Sequence, residues 1–345
     1  MDPRLAFMRS AKPVVAAGTK TVPIRQTFSS STPRDNTVSV LYYPPKRGTE
    51  QAPDQVTLFL PGNPGTPEYY LYFLGHLHSN LPDGHALLAA SHVGGDAAQP
   101  HPKKPFDLPD QIASKIEMVN ALQSSLDAWA SPGQKPKVAL AGHSAGTWVI
   151  CEIMKKIKVH AAYLTFPTLG WIAWSYNGWT MWPMFHFPIL QIIPYTSYIA
   201  RHLLPYYRLP KPSQELVKSP ETLRDVLAMA VSEMKLIREP DYEWFLKQRD
   251  LPYGEGVHGV WSEGTLDGWV GKEAPLIRDC LGKDRAVTVD IPHAFCLSER
   301  KSKRVADIVL GWMTDKPSKT VAAVKSANVH DGTDTPEYPE SEMIM

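Results

Sequence analysis

Hydrophobic positions along this 345-residue chain switch between runs of buried-strand type and helical spacing, beginning at about residue 36. "TVSVLYYP" (37–44), "VTLFLPG" (56–62) and the start of "HALLAASHVGG" (85–95) read as strands. "PDQIASKIEMVNALQSSLDAWA" (109–130) sets Ile112, Ile116, Val119, Leu122, Leu126 and Trp129 at three- and four-residue spacings, which predicts an amphipathic helix. "KVALAGHS" (137–144) follows as a buried strand and "AGTWVICEIMKKIK" (145–158) as a helix. Near the end, "GVHGVWSEG" and "RAVTVDIPHAF" read as two more strands and "KRVADIVLGWM" (303–313) as a closing helix. Short strands separated by helices predict the α/β class, with a mostly parallel central sheet and flanking crossover helices.

The alternation stops after Lys158. Residues 159–200 contain no Asp, Glu, Lys or Arg, but include Trp171, Trp174, Trp179 and Trp182. A membrane span needs about 20 continuous apolar residues, and Pro167, Pro183, Pro188 and Pro194 interrupt every such window here. The stretch therefore reads as an insertion, a cap over the body or an element that dips into a lipid surface. This gives three parts: a flexible or partly strand-forming segment over 1–35, a body over 36–314 carrying an aromatic-rich insertion at about 165–240, and a Thr-, Asp-, Pro- and Glu-rich disordered tail over 315–345. "TVPIRQTF" in the first part suits a strand, although six Lys or Arg against Asp2 and Asp35 also suit a mitochondrial transit peptide.

Charge narrows the function classes. With 36 basic and 35 acidic residues there is no field to draw in nucleic acid, so no nucleic-acid partner is expected. Cys151, Cys280 and Cys296 have no metal-like spacing and sit among apolar residues, so neither a metal nor a disulfide is expected, and a reducing compartment fits.

"LAGHSAGTWVI" (140–150) is where chemistry enters. Ser144 stands between Gly142 and Gly146, at the junction of the predicted strand and helix. In α/β-hydrolases such an elbow lifts a nucleophilic hydroxyl clear of the sheet, and small flanking residues relieve the crowding of the turn. A serine nucleophile needs a histidine base, which needs a carboxylate to hold its tautomer, and in this fold the chain order is Ser, Asp or Glu, His. His330 lies in the polar tail and His258 inside a strand, which leaves His293, in a loop after "AVTVDI". Asp267 in "WSEGTLDGWVG" is the favoured acid, Glu263 its rival, and Asp290 is discounted as still within its strand. An oxyanion hole takes one N–H from the residue after the nucleophile, Ala145, and one from an earlier loop. In "FLPGNPGTPEYY" (59–70) Pro61 and Pro64 lack an N–H, which leaves Asn63.

"LFLPGNPGTPEYYLYF", "AGHSAG", "GTLDGWV" and "IPHAF", in this order over residues 58–295, together resemble the lipid droplet-associated hydrolase family of α/β-hydrolases. The resemblance implies Ser144 as nucleophile, Asp267 as acid and His293 as base. It implies a serine ester hydrolase acting on lipid esters, sterol esters or acylglycerols, at lipid droplets and the cytosolic face of the endoplasmic reticulum, with no cofactor. The aromatic insertion, about 165–205, would be the contact with the droplet or membrane surface. The alternatives are a non-catalytic or weakly active droplet protein, an acyltransferase or thioesterase on the same triad, and a cytoplasmic location.

Overall fold

The computed structural model describes residues 1–10, 14–15, 21–202 and 205–314. Eight strands make one sheet: β1 (Ile24–Ser30), β2 (Asn36–Tyr43), β3 (Gln55–Leu60), β4 (His85–Ala90), β5 (Lys137–His143), β6 (Ala161–Thr165), β7 (Gly256–Ser262) and β8 (Ala286–Val289). Their order is β8-β7-β6-β5-β3-β4-β2-β1. The six strands from β8 to β4 run parallel, and β2 and β1 add antiparallel at the far edge. Strands buried on both faces need no alternation of polarity, which is why β3 and β5 read as mostly apolar runs, with Gln55, Thr57 and His143 buried among them.

Successive side chains of these strands feed two cores. Val40, Leu58, Leu88 and Leu140 pack under helices α1 (Leu108–Trp129) and α2 (Ala145–Met154), with Ile112, Val119, Leu122 and Val149. Leu41, Phe59, Leu87 and Ala139 point to the other face, under α3 (Leu71–Asn80) and α4 (Glu299–Met313), where Phe73, Leu77, Val305 and Ile308 meet them. Asp107 caps α1 through a reciprocal bond with Asp110, and the helix ends at Ala130 just before the turn "SPG".

Two boundaries differ from the sequence reading. The body does not begin at residue 36: Leu5, Met8 and Phe28 are fully buried, β1 lies in the main sheet, and Arg4 pairs with Glu117 on α1. The uncharged stretch from 159 is not all insertion either, because Ala161–Thr165 is β6, buried between β5 and β7. A parallel strand buried on both faces lacks charge for the same reason that a lipid-facing segment does, so polarity alone does not separate them. The 315–345 tail, with His330, lies outside the described residues.

Between β6 and β7 the chain builds a cap from short helical turns and four longer helices, α5 (Ile189–Ala200), α6 (Lys211–Lys218), α7 (Pro220–Leu236) and α8 (Tyr242–Arg249). Phe185, Leu227 and Ala230 form a small core of their own with Leu190 and Ile193, tying α5 to α7. The outer side of the cap stays apolar. Trp174, Trp179, Phe187 and Tyr195 are each about 70–80% exposed, and Trp182, Ile192 and Ile199 about half or more. No described helix is long and apolar enough to cross a membrane.

Candidate active site

β5 ends at His143 and α2 starts at Ala145, leaving Ser144 alone in the turn at φ +51°, ψ −128°. A non-glycine residue at positive φ costs of order 1–3 kcal/mol and persists only where its surroundings over-determine it. Here they do so through close packing. A Cβ on Gly146 would come within 2.4 Å of the Pro61 carbonyl oxygen, and one on Gly142 within 2.6 Å of Ile150 and 2.9 Å of the Leu60 carbonyl oxygen. Ser144 N–H donates to the Thr165 carbonyl, and Thr165 Oγ1 donates to the Gly142 carbonyl, so β6 braces the turn from the other side.

The elbow meets two other loops. Ser144 Oγ lies 3.0 Å from His293 Nε2, and His293 Nδ1 lies 2.7 Å from Asp267 Oδ2. Because the ionised carboxylate only accepts, His293 Nδ1–H donates to it, which leaves Nε2 to accept from the Ser144 hydroxyl. Asp267 is almost fully buried, and its other oxygen accepts the Trp269 N–H at 2.9 Å. Glu263 is exposed on the same loop, and Asp290 sits one residue past the end of β8. The chain order Ser, Asp, His is thus met by direct hydrogen bonds in that geometry. His258 is elsewhere, fully buried between Tyr163 and Trp312, and burial pushes its imidazole down to about 3.

The loop after β3 lies against the same serine. A Cβ on Gly62 would stand 2.7 Å from Ser144 Cβ, so the backbone beside Asn63 approaches Ser144 as closely as atoms allow. Ala145, fully buried, opens α2 on the other side of Ser144, where the first N–H groups of a helix have no partner within the helix. The Asn63 side chain turns away from the serine, donating to the Val226 carbonyl at 3.1 Å and to Glu233 Oε1 at 3.0 Å, both on α7. Burial pushes the Glu233 carboxyl up to about 7, against the pull of the Asn63 bond.

Three side chains of this neighbourhood escape the sequence reading: Tyr70, His143 and Glu233. Tyr70 Oη accepts the Gly62 N–H at 3.1 Å and lies 2.8 Å from His143 Nδ1, while His143 Nε2 lies 3.0 Å from the His293 carbonyl oxygen. The paired tyrosine and the histidine of "GHS" were visible signals. Glu233 showed itself only as an acid among the apolar residues of "VLAMAVSEM".

A cavity of about 950 Å³ opens between the β1–β2 edge of the sheet and the cap, walled by Gln26, Val40, Tyr69, Leu216, Thr222 and Cys296 among others. Its walls come from β1 and β2 (Gln26, Val40), the loop at Gly95–Gln99, the segments around Tyr69 and Cys296, and cap helices α6 and α7; neither Ser144 nor His293 is itself part of them. Tyr69 and Ser213 hydrogen-bond across 2.7 Å between body and cap. Among the described residues, no group of three His, Cys, Asp or Glu side chains gathers as a metal site.

The sheet order, the elbow and the cap between β6 and β7 define an α/β-hydrolase fold, and solved structures share it. A haloalkane dehalogenase loop variant from Bradyrhizobium elkanii aligns with a TM-score of 0.55 at 12% identity, covering 87% of this chain and 99% of that one. A thermophilic esterase from Thermogutta terrifontis aligns at 0.53 and 12% identity, covering 85% and 98%. More specifically, the chain belongs to the lipid-droplet associated hydrolase family, whose profile matches residues 53–296, and it is therefore a hydrolase. Relatives include the lipid droplet-associated hydrolases of Mus musculus, 26% identical over 77% of this chain and 87% of that protein, and of Drosophila melanogaster, 25% identical over 74% and 87%.

Proposed function

We propose that this hydrolase cleaves carboxylic esters of lipids, sterol esters or acylglycerols, by a Ser144–His293–Asp267 triad. The observation that carries the reading is the hydrogen-bonded order Ser144, His293, Asp267 at a strained strand-to-helix elbow. In this reading Ser144 Oγ attacks the acyl carbon while His293 Nε2 takes its proton. Asp267 holds the imidazole in its tautomer and stabilises the imidazolium. The oxyanion receives the N–H groups of Ala145 and Asn63, and His293 returns the proton to the leaving alcohol. Water, deprotonated by His293, then releases the acid from Ser144, so no cofactor or metal enters the cycle. The cavity of about 950 Å³ between the β1–β2 edge and the cap is the space assigned to the lipid chain, within the 300–1,000 Å³ common for ligand sites.

The exposed aromatic side of the cap, within about 165–205, is assigned to the lipid surface. Trp and Tyr favour such a boundary because each joins an apolar body to one polar group. Contiguous exposed apolar area beyond a few hundred Å² marks an interaction site. A droplet monolayer, or the cytosolic face of the endoplasmic reticulum, presents that chemistry. The test is a panel of sterol esters and acylglycerols in emulsion, assayed for free fatty acid with wild type and Ser144→Ala in parallel. Release by the wild type alone supports the reading; equal release by both refutes it.

A further inference from the structure

We infer that Tyr70 and His143 are positioning residues that tie the Asn63 loop, the elbow and the His293 loop together through one directed chain of hydrogen bonds. The inference rests on the triad reading above, and its direction follows from the partners. The His293 carbonyl oxygen can only accept, so His143 Nε2 carries the proton and donates across 3.0 Å. His143 is neutral, because it is buried among Tyr70, Phe166, Phe295 and His293 with no carboxylate against its ring, and burial pulls its basicity well down. Its Nδ1 is therefore an acceptor, and the Tyr70 hydroxyl donates to it across 2.8 Å. The Tyr70 oxygen in turn takes the Gly62 N–H at 3.1 Å. Each group is used once, in one direction; Gly62, Tyr70 and His143 are buried and His293 half-buried.

The chain joins the pieces whose relative placement decides catalysis. Gly62 precedes Asn63 and packs on Ser144, His143 precedes Ser144, and the His293 carbonyl belongs to the residue whose ring faces Ser144 Oγ. The Ser144–His293 hydrogen bond joins the elbow to the His293 loop, and the Tyr70–His143 chain adds the Asn63 loop to that pair. The neutrality of His143 matters as well, because its ring centroid is 4.6 Å from that of His293. A charged neighbour there would oppose the imidazolium that His293 becomes when it takes the serine proton.

Tyr70→Phe removes one atom and keeps the packing; His143→Phe keeps a ring and removes both bonds. Turnover of p-nitrophenyl butyrate is measured per competent site, with sites counted by fluorophosphonate titration. We expect kcat per titrated site to fall roughly 10- to 100-fold in each variant, as displacement of reacting groups by about an ångström does. KM should hold within about twofold, and the double variant should be no worse than the poorer single, since the two residues act as a unit. A lower titrated fraction with kcat per site unchanged is the mark of a merely structural role and overturns the inference. Should His143→Phe fail to fold, Tyr70→Phe decides alone. A second readout needs no activity: nitrogen NMR of histidine-labelled wild type at pH 7 should show His143 as the neutral Nε2–H tautomer. It should also show the His293 Nδ1–H signal displaced in Tyr70→Phe. A charged or Nδ1–H His143, or an unmoved His293 signal, overturns the inference. A wild type with no titratable serine refutes the triad reading instead, and the NMR result still decides the hydrogen-bond chain.

Discussion

Asn63 Nδ2 donates to Glu233 Oε1 at 3.0 Å, so the turn beside Ser144 is pinned to a cap helix by a buried carboxyl. Burial raises that carboxyl to about 7 in the folded protein, above the ordinary 4.5 of a glutamate. A raised acid stabilises the fold fully below its unfolded value and loses that contribution as pH rises through its folded one. Stability should therefore decline between about pH 4.5 and 7 on account of Glu233. Glu233→Gln keeps an acceptor for Asn63 and removes the charge. Melting curves from pH 4 to 8.5 should be closest for the two proteins at the acid end, near pH 4. At pH 8 the Gln variant should be the more stable, by on the order of 3 kcal/mol at most. A less stable Gln variant at pH 8 would mean that the ionised carboxylate is the form the fold prefers.

The two acids of the loop after β7 separate by position. Asp267 touches His293 and is buried, whereas Glu263 is exposed. Asp267→Asn presents an amide that disfavours the working tautomer, and kcat should drop by roughly 10⁴-fold, as in other triads. Glu263→Gln should change it less than about twofold. Steady-state kinetics on a soluble ester distinguish them, and an exchange of the two phenotypes would move the acid to Glu263.

Glycine is required at the elbow by contact, not by habit. Gly146→Ala places a methyl against the Leu60 and Pro61 carbonyl oxygens, at 2.5 and 2.4 Å, so the backbone must shift. Overpacking of this kind costs about 1–3 kcal/mol, and the displaced elbow should lose activity as well. Gly75→Ala, inside α3 with nothing within 4 Å of the new methyl, should instead gain roughly 0.5–1 kcal/mol from helix propensity. Urea melts of both variants measure the contrast; a neutral Gly146→Ala would show that the turn has room that its contacts deny.

The exposed side of the cap should be separable from the fold. Changing Trp174, Trp179, Phe187 and Tyr195 to Ser removes four largely exposed rings, so the melting temperature should move little. Flotation with phosphatidylcholine-coated triacylglycerol droplets should fall at least tenfold, while turnover of a soluble ester stays within about twofold. Undiminished flotation would place the lipid contact on another surface.

Much of this site could be read from sequence because its parts are local. β5, the elbow and α2 follow one another within "KVALAGHSAGTWVICEIM", and an apolar run, two glycines and a second apolar run suffice to outline them. His293 and Asp267 follow from chain order and from loops that begin where strands end. What stayed hidden depends on partners far along the chain. The Tyr70–His143–His293 connection spans 223 positions, the Asn63–Glu233 bond spans 170, and the Arg4–Glu117 pair that docks the N-terminus spans 113. β6 was hidden differently: Ala161–Thr165 runs into the cap without a change of polarity, because the sheet interior and the apolar cap exclude charge alike.

The most direct test of the central claim is to locate a covalent adduct. A fluorophosphonate reacts with an activated serine, so intact protein treated with it should gain one phosphonyl group, and peptide mass spectrometry should find it on Ser144. The adduct should vanish in Ser144→Ala, and in His293→Ala its rate of formation should fall by several orders of magnitude, since the base is gone. Absence of an adduct in the wild type, an adduct on another serine, or equal labelling without His293 would contradict the assignment of Ser144 as a nucleophile activated by His293.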